Sequence, residues 1–258
     1  MKLTVLGSGT CLSDPERGAP GYLLQDRDTS IVIDSGSGTL QRLGRAGLNP
    51  VTIDGLVYTH RHVDHCADLP ALIFCIRQQP SPARLRDLPI WAGEGFEDHL
   101  EALRDAYDGA LEPDHFDIPV HELSLMKVAS AKLPGGLRLH TAPANHQAGA
   151  LHLRFENAEG LTIAFSGDTG SSEPLEQLAA GADLFVCECA LAPHDAYPFH
   201  LNAADVAEVV AAARPRQVVL THLYPRHDPQ ADLDTVAATG VPTVLARDGL
   251  EIVVSRRL

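Results

Sequence analysis

The stretch His60-Arg61-His62-Val63-Asp64-His65 places four potential metal ligands within six residues, directly after the apolar residues 56–58. Packing alone does not explain such a cluster, because each buried polar side chain needs a hydrogen-bonding partner of its own. Imidazole nitrogens and carboxylate oxygens are ordinary zinc ligands, and zinc sites without cysteine usually keep one position open for water. The stretch therefore predicts a catalytic site for a divalent cation, with zinc as the first candidate.

Four later strand-like runs end in side chains that bind metals or protons: His146, Asp168, Glu188 and His222. The residues before His222 read Val-Val-Leu-Thr, similar to the Leu-Val-Tyr-Thr that precedes His60. In α/β proteins, functional side chains collect beyond the carboxyl ends of the strands. We therefore expect these side chains to converge on one rim of the molecule.

In this order, the motifs resemble those of the metallo-β-lactamase-fold hydrolases, and within them the ribonuclease Z-like and phosphodiesterase-like branch. The stretch 60–65 matches the signature His-x-His-x-Asp-His, and the later His, Asp and His of the pattern are also present. The glycine loop 6–10, with Arg17 beyond it, and the Asp-containing turn 32–39 resemble two further motifs. The resemblance covers nearly the whole chain. It is specific for the fold and the metal centre, but lactonases, thioesterases and nucleases share the ligands.

The resemblance implies a four-layer αββα sandwich with the metals at the open edge between two sheets. The alternation of strand-like and helix-like runs by itself predicts only an α/β fold. Length and the lack of a linker favour a single domain over residues 1–258. Strands are predicted at 2–6, 21–25 and 30–33, and helices at 39–46, 68–78, 96–107 and 202–213.

Composition restricts the partners. The formal charge of −14 disfavours long nucleic acid, whose binding proteins usually carry a basic patch, although a bound metal pair adds local positive charge. No run approaches the roughly 18 apolar residues typical of a membrane span, and no signal peptide is recognisable. Five cysteines without framework spacing favour a reducing compartment. A cytoplasmic protein without membrane contact is predicted, and the oligomeric state stays open, with a homodimer as one alternative.

The resemblance also implies a division of the ligands between two Zn²⁺ ions per chain, with Mn²⁺ as the alternative metal. A water activated by both metals would then attack the substrate. The first metal would be held by His60, His62 and His146, the second by Asp64, His65 and His222, with Asp168 bridging them.

Further side chains are candidates for catalysis or substrate binding. His200, just before a predicted helix, resembles a histidine of the same branch that assists the phosphate transition state, and Glu188 would orient it or assist proton transfer. Arg226 lies four residues after the last ligand, where the branch also carries an arginine that could hold a phosphate. Arg61 could act similarly. Asp34 is interpreted either as a turn former or as a carboxylate that fixes a ligand imidazole.

The spacing of the ligands bears on the substrate. Members of the branch that process transfer RNA carry a long arm between the ligands corresponding to His146 and Asp168, but only the 21 residues 147–167 lie between them here. A small or cyclic phosphodiester or a short RNA is therefore the predicted substrate. The alternatives are a ribonuclease Z-like transfer RNA 3′ endonuclease, a lactone or thioester hydrolase on the same metals, and a metal-binding protein without enzymatic activity.

Overall fold

Two seven-stranded β-sheets form the centre of the computed structural model, which describes residues 1–147, 149–192, 195, 197–225 and 228–255. The first sheet has the order β14-β1-β2-β3-β4-β5-β6 and consists of β1 (Lys2–Gly7), β2 (Gly21–Asp26), β3 (Thr29–Ser35), β4 (Gly55–Val57), β5 (Ile90–Gly93), β6 (Val120–Leu123) and β14 (Glu251–Val253). The second has the order β13-β12-β11-β10-β9-β8-β7 and consists of β7 (Ala129–Lys132), β8 (Arg138–Pro143), β9 (Leu151–Glu156), β10 (Thr162–Phe165), β11 (Leu184–Glu188), β12 (Val218–Thr221) and β13 (Thr243–Leu245).

Both sheets combine an antiparallel part with a parallel part. In the first sheet, β14, β1, β2 and β3 pair antiparallel, whereas β3, β4, β5 and β6 pair parallel. In the second sheet, β7 to β10 pair antiparallel and β10 to β13 pair parallel. Because parallel strands all end at the same edge, each sheet brings several strand ends together, and connections from these ends can carry a shared site.

Helices cover the outer face of each sheet. The chain contains α1 (Thr39–Arg45), α2 (Val63–Cys66), α3 (Leu69–Gln78), α4 (Phe96–Ala106), α5 (Glu173–Ala179), α6 (Ala203–Ala213) and α7 (Pro229–Ala237). One core lies between the first sheet and α1, α3 and α4, a second lies between the two sheets, and a third lies between the second sheet and α5 to α7. The predicted αββα layering is thus confirmed.

Strand β3 shows how the layers arise from the sequence. Ile31 and Ile33 belong to the core between the sheets, whereas Val32 belongs to the core under the helices. Successive side chains of a strand point to opposite faces, so a strand buried on both faces must be apolar throughout. The run of three β-branched residues therefore fits a central strand between two apolar layers.

The predicted elements lie within one or two residues of the observed ones. Pro70 occupies the first turn of α3, as its missing N–H requires. Asn202 caps α6, and Asp205 completes a capping box with it. Gly47 follows α1 with φ of 77°, a left-handed conformation that glycine adopts without strain. Within the described ranges, none of the helices has both the length and the apolarity that crossing a bilayer requires.

Candidate metal centre

The histidine-rich stretch runs from the turn after β4 into α2. His60 follows the strand and is buried, His62 is the residue at which α2 begins, and Asp64 and His65 lie in the helix itself. Gly36, at the end of β3, allows this turn to pack closely, because a Cβ there would lie 2.0 Å from the carbonyl oxygen of Asp64. The local backbone thus directs four ligand-type side chains into a small volume.

The second sheet contributes one side chain from each of three connections. His146 follows β8, Asp168 follows β10 and His222 follows β12. Two tight turns place them: Gly167 has φ of 58°, and His222 itself lies in the left-handed region with φ of 55°. A β-carbon-bearing residue reaches that region only at an energetic cost, which is typical of functional sites.

One group of ligand atoms surrounds His62. Its Nδ1 lies 3.0 Å from Nε2 of His60 and 3.1 Å from Nε2 of His146. Oδ2 of Asp168 lies 3.7 Å from the His60 nitrogen and 4.0 Å from the His146 nitrogen. Three imidazole nitrogens and one carboxylate oxygen therefore face a common point.

A second group lies on the other side of Asp168. Nε2 of His222 lies 3.6 Å from Oδ2 of Asp64 and 3.4 Å from Oδ2 of Asp168, while Nε2 of His65 lies 3.3 Å from Oδ1 of Asp168. Burial favours the protonated form of Asp168, but His222 and His65 outweigh this effect and hold the pKa of Asp168 well below its ordinary value. The ionised carboxylate lies between the two groups of ligand-type atoms, within 4.0 Å of nitrogens in both.

Hydrogen bonds on the outside of the cluster fix the imidazole rings. The hydroxyl of Thr59 donates to Asp34, so it can accept from Nδ1 of His60 at 3.0 Å, and Nδ1 of His146 donates to the carbonyl of Phe199 at 2.9 Å. In both rings the proton then lies on Nδ1, and the lone pair of Nε2 points into the cluster. Burial lowers the pKa of His146 to about 4, so this ring is neutral at pH 7 and can bind a cation.

Asp34 combines both roles considered for it. Its φ of 54° turns the chain at the end of β3. Its carboxylate accepts hydrogen bonds from the backbone N–H of Thr59 and from Nδ1 of His65, each at 2.8 Å. The interpretation as a carboxylate that orients a ligand imidazole is thus supported by direct contacts.

These side chains fit the binding of divalent metal. Unprotonated imidazole nitrogens repel one another at 3 Å unless a proton or a cation lies between them, and nitrogens in a tetrahedral zinc site are about 3.3 Å apart. Nε2 of His65 and both ring nitrogens of His222 are buried without a hydrogen-bonding partner among the described residues. Ligand atoms lie within 4.8 Å of one another inside each of three groups: His60-His62-His146-Asp168, Asp64-His65-His222 and Asp168-His200-His222.

His200 and the buried Glu188 form a hydrogen-bonded pair beside the cluster. Nδ1 of His200 lies 2.9 Å from Oε1 of Glu188, and the His200 ring stacks on His222 at 5.6 Å and contacts His146 at 5.0 Å. The same Glu188 oxygen accepts the N–H of Thr169, next to Asp168. Glu188 is 1% exposed and contacts His200 and the backbone, so it orients its neighbours.

Of the two arginines considered for phosphate binding, the structure describes Arg61. The Arg61 guanidinium donates to the carbonyl of Gly95 at 2.6 Å, so it ties the turn after β4 to the connection after β5, and it lies close to Gly149. This contact shows a structural use of the side chain. Arg226 lies outside the described residues.

His152 is a buried group that the motifs did not reveal. It is 0% exposed, its Nδ1 donates to the carbonyl of Ser166 at 2.6 Å, and its Nε2 lies 3.2 Å from the hydroxyl of Ser172. It thus connects both ends of the loop that carries Asp168. The alternation of Leu151, His152 and Leu153 along β9 is the available signal, but it does not reveal that a helical layer covers the polar face.

Comparison with known proteins identifies the family. Residues 29–223 match the family model described as the beta-lactamase superfamily domain, and the chain belongs to that family. An uncharacterised protein of Mycobacterium tuberculosis is 32% identical over 230 residues, which cover 87% of this chain and 81% of that protein. Ribonuclease Z of Mycobacterium bovis is 26% identical over 246 residues, which cover 89% of this chain and 88% of the enzyme.

Solved structures show the same fold. The metallo-beta-lactamase fold protein YhfI of Bacillus subtilis aligns with a TM-score of 0.84 and 20% identity over 97% of this chain and 98% of that chain. Human tRNase Z, short form, aligns with a TM-score of 0.81 and 21% identity over 99% of this chain and 100% of that chain. A diphosphatase of the PhnP family aligns with a TM-score of 0.76 and 21% identity over 97% of this chain and 96% of that chain. Fold and family together indicate a metal-dependent hydrolase.

Proposed function

We propose that this protein is a dinuclear metal-dependent phosphodiesterase, with zinc as the preferred metal, that hydrolyses a small or cyclic phosphodiester or a short RNA. The observation that carries the proposal is the placement of His200. Its ring is held by the buried carboxylate of Glu188 and stacks on His222 at 5.6 Å, directly beside the ligand cluster. Phosphodiester cleavage gains from such a group, because charge develops on the phosphoryl oxygens and on the leaving alkoxide.

The seven cluster residues would hold the two cations. His60, His62 and His146 would bind one, Asp64, His65 and His222 the other, and the carboxylate of Asp168 would contact both. When bound, such a pair of cations lowers the pKa of water towards neutrality and stabilises charge on the reacting oxygens.

The remaining residues position the ligands and handle protons. Asp34 holds Nδ1 of His65, and the carbonyl of Phe199 holds Nδ1 of His146, so neither ring can rotate away. Glu188 holds Nδ1 of His200, which leaves Nε2 of that ring to stabilise a phosphoryl oxygen or to protonate the leaving oxygen. His200 is the proposed catalytic residue, and Glu188 acts through it as a positioning residue.

The chain architecture favours a small substrate over a whole transfer RNA. Between His146 and Asp168 the described residues form β9 and β10 with their turns, and the formal charge is −14. A long nucleic acid would meet electrostatic repulsion outside the metal centre. The similarity to ribonuclease Z of Mycobacterium bovis keeps RNA among the candidates, and the ligand set alone also fits a lactone or thioester hydrolase.

A substrate panel separates these functions. The protein, purified without added metal and analysed for its metal content, would be tested on bis(4-nitrophenyl) phosphate, a 2′,3′-cyclic nucleotide, a lactone and a thioester. We expect phosphodiester hydrolysis to dominate. In His200→Ala the phosphodiester kcat should fall about 10²- to 10⁴-fold, the usual contribution of an acid–base group.

His115→Ala is the matched control, since this exposed histidine belongs to none of the ligand groups. It should hydrolyse every substrate at the wild-type rate. Faster turnover of the lactone or the thioester than of any phosphodiester would refute the proposal in favour of those activities. Bound metal without hydrolysis of any ester would indicate a binding protein instead.

A further inference from the structure

Three rings form a nearly parallel stack that runs outward from the metal centre. His200 stacks on His222 with an interplanar angle of 16°, and Tyr197 stacks on the same His200 with an angle of 24° and 5.9 Å between the centroids. Tyr197 is 49% exposed. The stack therefore ends at the surface in an aromatic ring available to another flat group.

A cavity of about 440 Å³ lies beside this stack, and Asn145, Ser171, Tyr197, His200, Asn202 and Asp205 line it. Its volume falls within the range of about 300–1,000 Å³ that is typical of small-molecule sites. His200 belongs both to the cavity and to the surroundings of the metal ligands, so one substrate can reach both.

The walls of the cavity are held in place by their own hydrogen bonds. Asn145 donates through Nδ2 to the carbonyl of Pro198 at 3.1 Å, and its backbone carbonyl accepts from the N–H of Gly170 at 3.0 Å. On the opposite side, Asn202 and Asp205 hold each other in the capping box of α6. A site built this way loses little conformational entropy when a ligand binds.

The described lining favours a neutral, hydrogen-bonding group over a second phosphate. Among the described residues that line the cavity there is no lysine or arginine, while His200 contributes an imidazole and Asp205 a carboxylate. Amide, hydroxyl and carboxylate groups suit hydroxyl groups and ring nitrogens, and the exposed face of Tyr197 suits a flat ring. A nucleoside combines a flat base with a hydroxyl-bearing sugar.

We infer that this cavity binds the nucleoside of a phosphodiester substrate, with the base stacked on Tyr197 and the phosphate at the neighbouring metal centre. The inference rests on the proposed phosphodiesterase function and narrows it to nucleotide esters. Since base–aromatic stacking depends little on base identity, the cavity selects a nucleoside without selecting a particular base.

Two esters with the same leaving group test the inference: thymidine 5′-(4-nitrophenyl phosphate) and methyl 4-nitrophenyl phosphate. The wild-type protein should prefer the thymidine ester in kcat/KM. Tyr197→Ala should reduce this preference about tenfold, equivalent to about 1.4 kcal/mol, whereas Tyr197→Phe should keep it. Ser171→Trp, which fills the cavity, should reduce it as well.

Tyr107→Ala is the matched control, because Tyr107 is exposed to the same extent at the end of α4, and it should leave the preference unchanged. An unchanged preference in both Tyr197→Ala and Ser171→Trp would overturn the inference while leaving the phosphodiesterase proposal intact.

If neither ester is hydrolysed, the proposed function fails, and the cavity is judged by calorimetric titration with thymidine 5′-monophosphate. A Kd about tenfold weaker in Tyr197→Ala than in the wild type would still support a nucleoside site. Equal dissociation constants, or no binding to the wild type, would refute it.

Discussion

The two halves of the molecule supply the candidate metal centre in different ways. The first half gives four side chains from one short stretch, residues 60–65, which runs from the turn after β4 into α2. The second half gives His146, Asp168 and His222 from three connections that meet only because β8, β10 and β12 belong to one sheet. Yet each half consists of antiparallel strands followed by parallel ones. The same architecture thus concentrates ligands in one half and distributes them in the other.

This difference has a physical consequence. The four ligands of the first half are close together in the sequence, so backbone geometry largely fixes them, and Asp34 and Thr59 support them. The three ligands of the second half depend on the complete second sheet and on buried side chains such as His152. We therefore expect changes in the first half to act mainly on the metal centre, and supporting changes in the second half to act mainly on the stability of the fold.

The largest expected effect comes from removing one ligand in each half. Turnover should fall below detection in both His62→Ala and Asp168→Ala, while far-ultraviolet circular dichroism stays close to that of the wild type. Asp168 contacts both groups, so its variant should retain less metal than the His62 variant in elemental analysis. Equal metal content in the two variants would contradict the proposal that Asp168 binds both cations. Wild-type turnover in either variant would contradict the assignment of the metal ligands.

A smaller effect is expected from Asp34, the support within the first half. Asp34→Ala removes the acceptor for His65 and Thr59, and groups that orient metal-binding histidines typically contribute 10- to 100-fold in affinity or activity. Metal affinity, measured by competition with a chelator, should fall within about this range.

Asp54→Asn is the control for this prediction, because Asp54 lies before the start of β4, at the opposite end of the strand from the metal centre. It should change stability at most. Unaltered metal affinity in Asp34→Ala would show that the turn alone fixes the ligands of the first half.

The smallest effect on the site, and a measurable one on stability, is expected from His152 in the second half. Burial lowers its pKa from 6.5 to about 4, so between these pH values His152 is protonated in the unfolded chain but neutral in the folded protein. This contribution to stability is complete above about pH 6.5 and is lost as the pH falls towards 4, by roughly 3 kcal/mol. His152→Gln should therefore show a weaker dependence of stability on pH across that window.

Urea denaturation of both proteins at pH 7.5 and pH 5 measures this difference, with His121→Gln at an exposed position as the control. At pH 7.5 the variant should be destabilised by about 1–3 kcal/mol, because buried hydrogen bonds to Ser166 and Ser172 are lost. Parallel curves for the variant and the wild type would show that His152 does not support the second half in this way.

Much of the fold and of the ligand set could be predicted from local patterns. The caps at Gly47 and Asn202 and the apolar run of β3 act through neighbouring residues, so the sequence specifies them directly. The interpretation of Arg61 shows the limit. Nothing near it in the sequence indicates that its guanidinium reaches the carbonyl of Gly95, since that contact exists only after β5 and α4 are packed.

The sequence alone determined the layered α/β architecture and the types of ligand, because hydrophobic alternation and a six-residue cluster are local properties of the chain. Tertiary structure alone decided which nitrogens of the histidines face inward, that Asp168 lies between the two groups, and that Tyr197 continues the stack of rings from the metal centre. Those relations join residues far apart in the chain, such as His65 and Asp168. They depend on the pairing of strands and the packing of layers, in which the free energy of burying apolar surface offsets the loss of chain entropy.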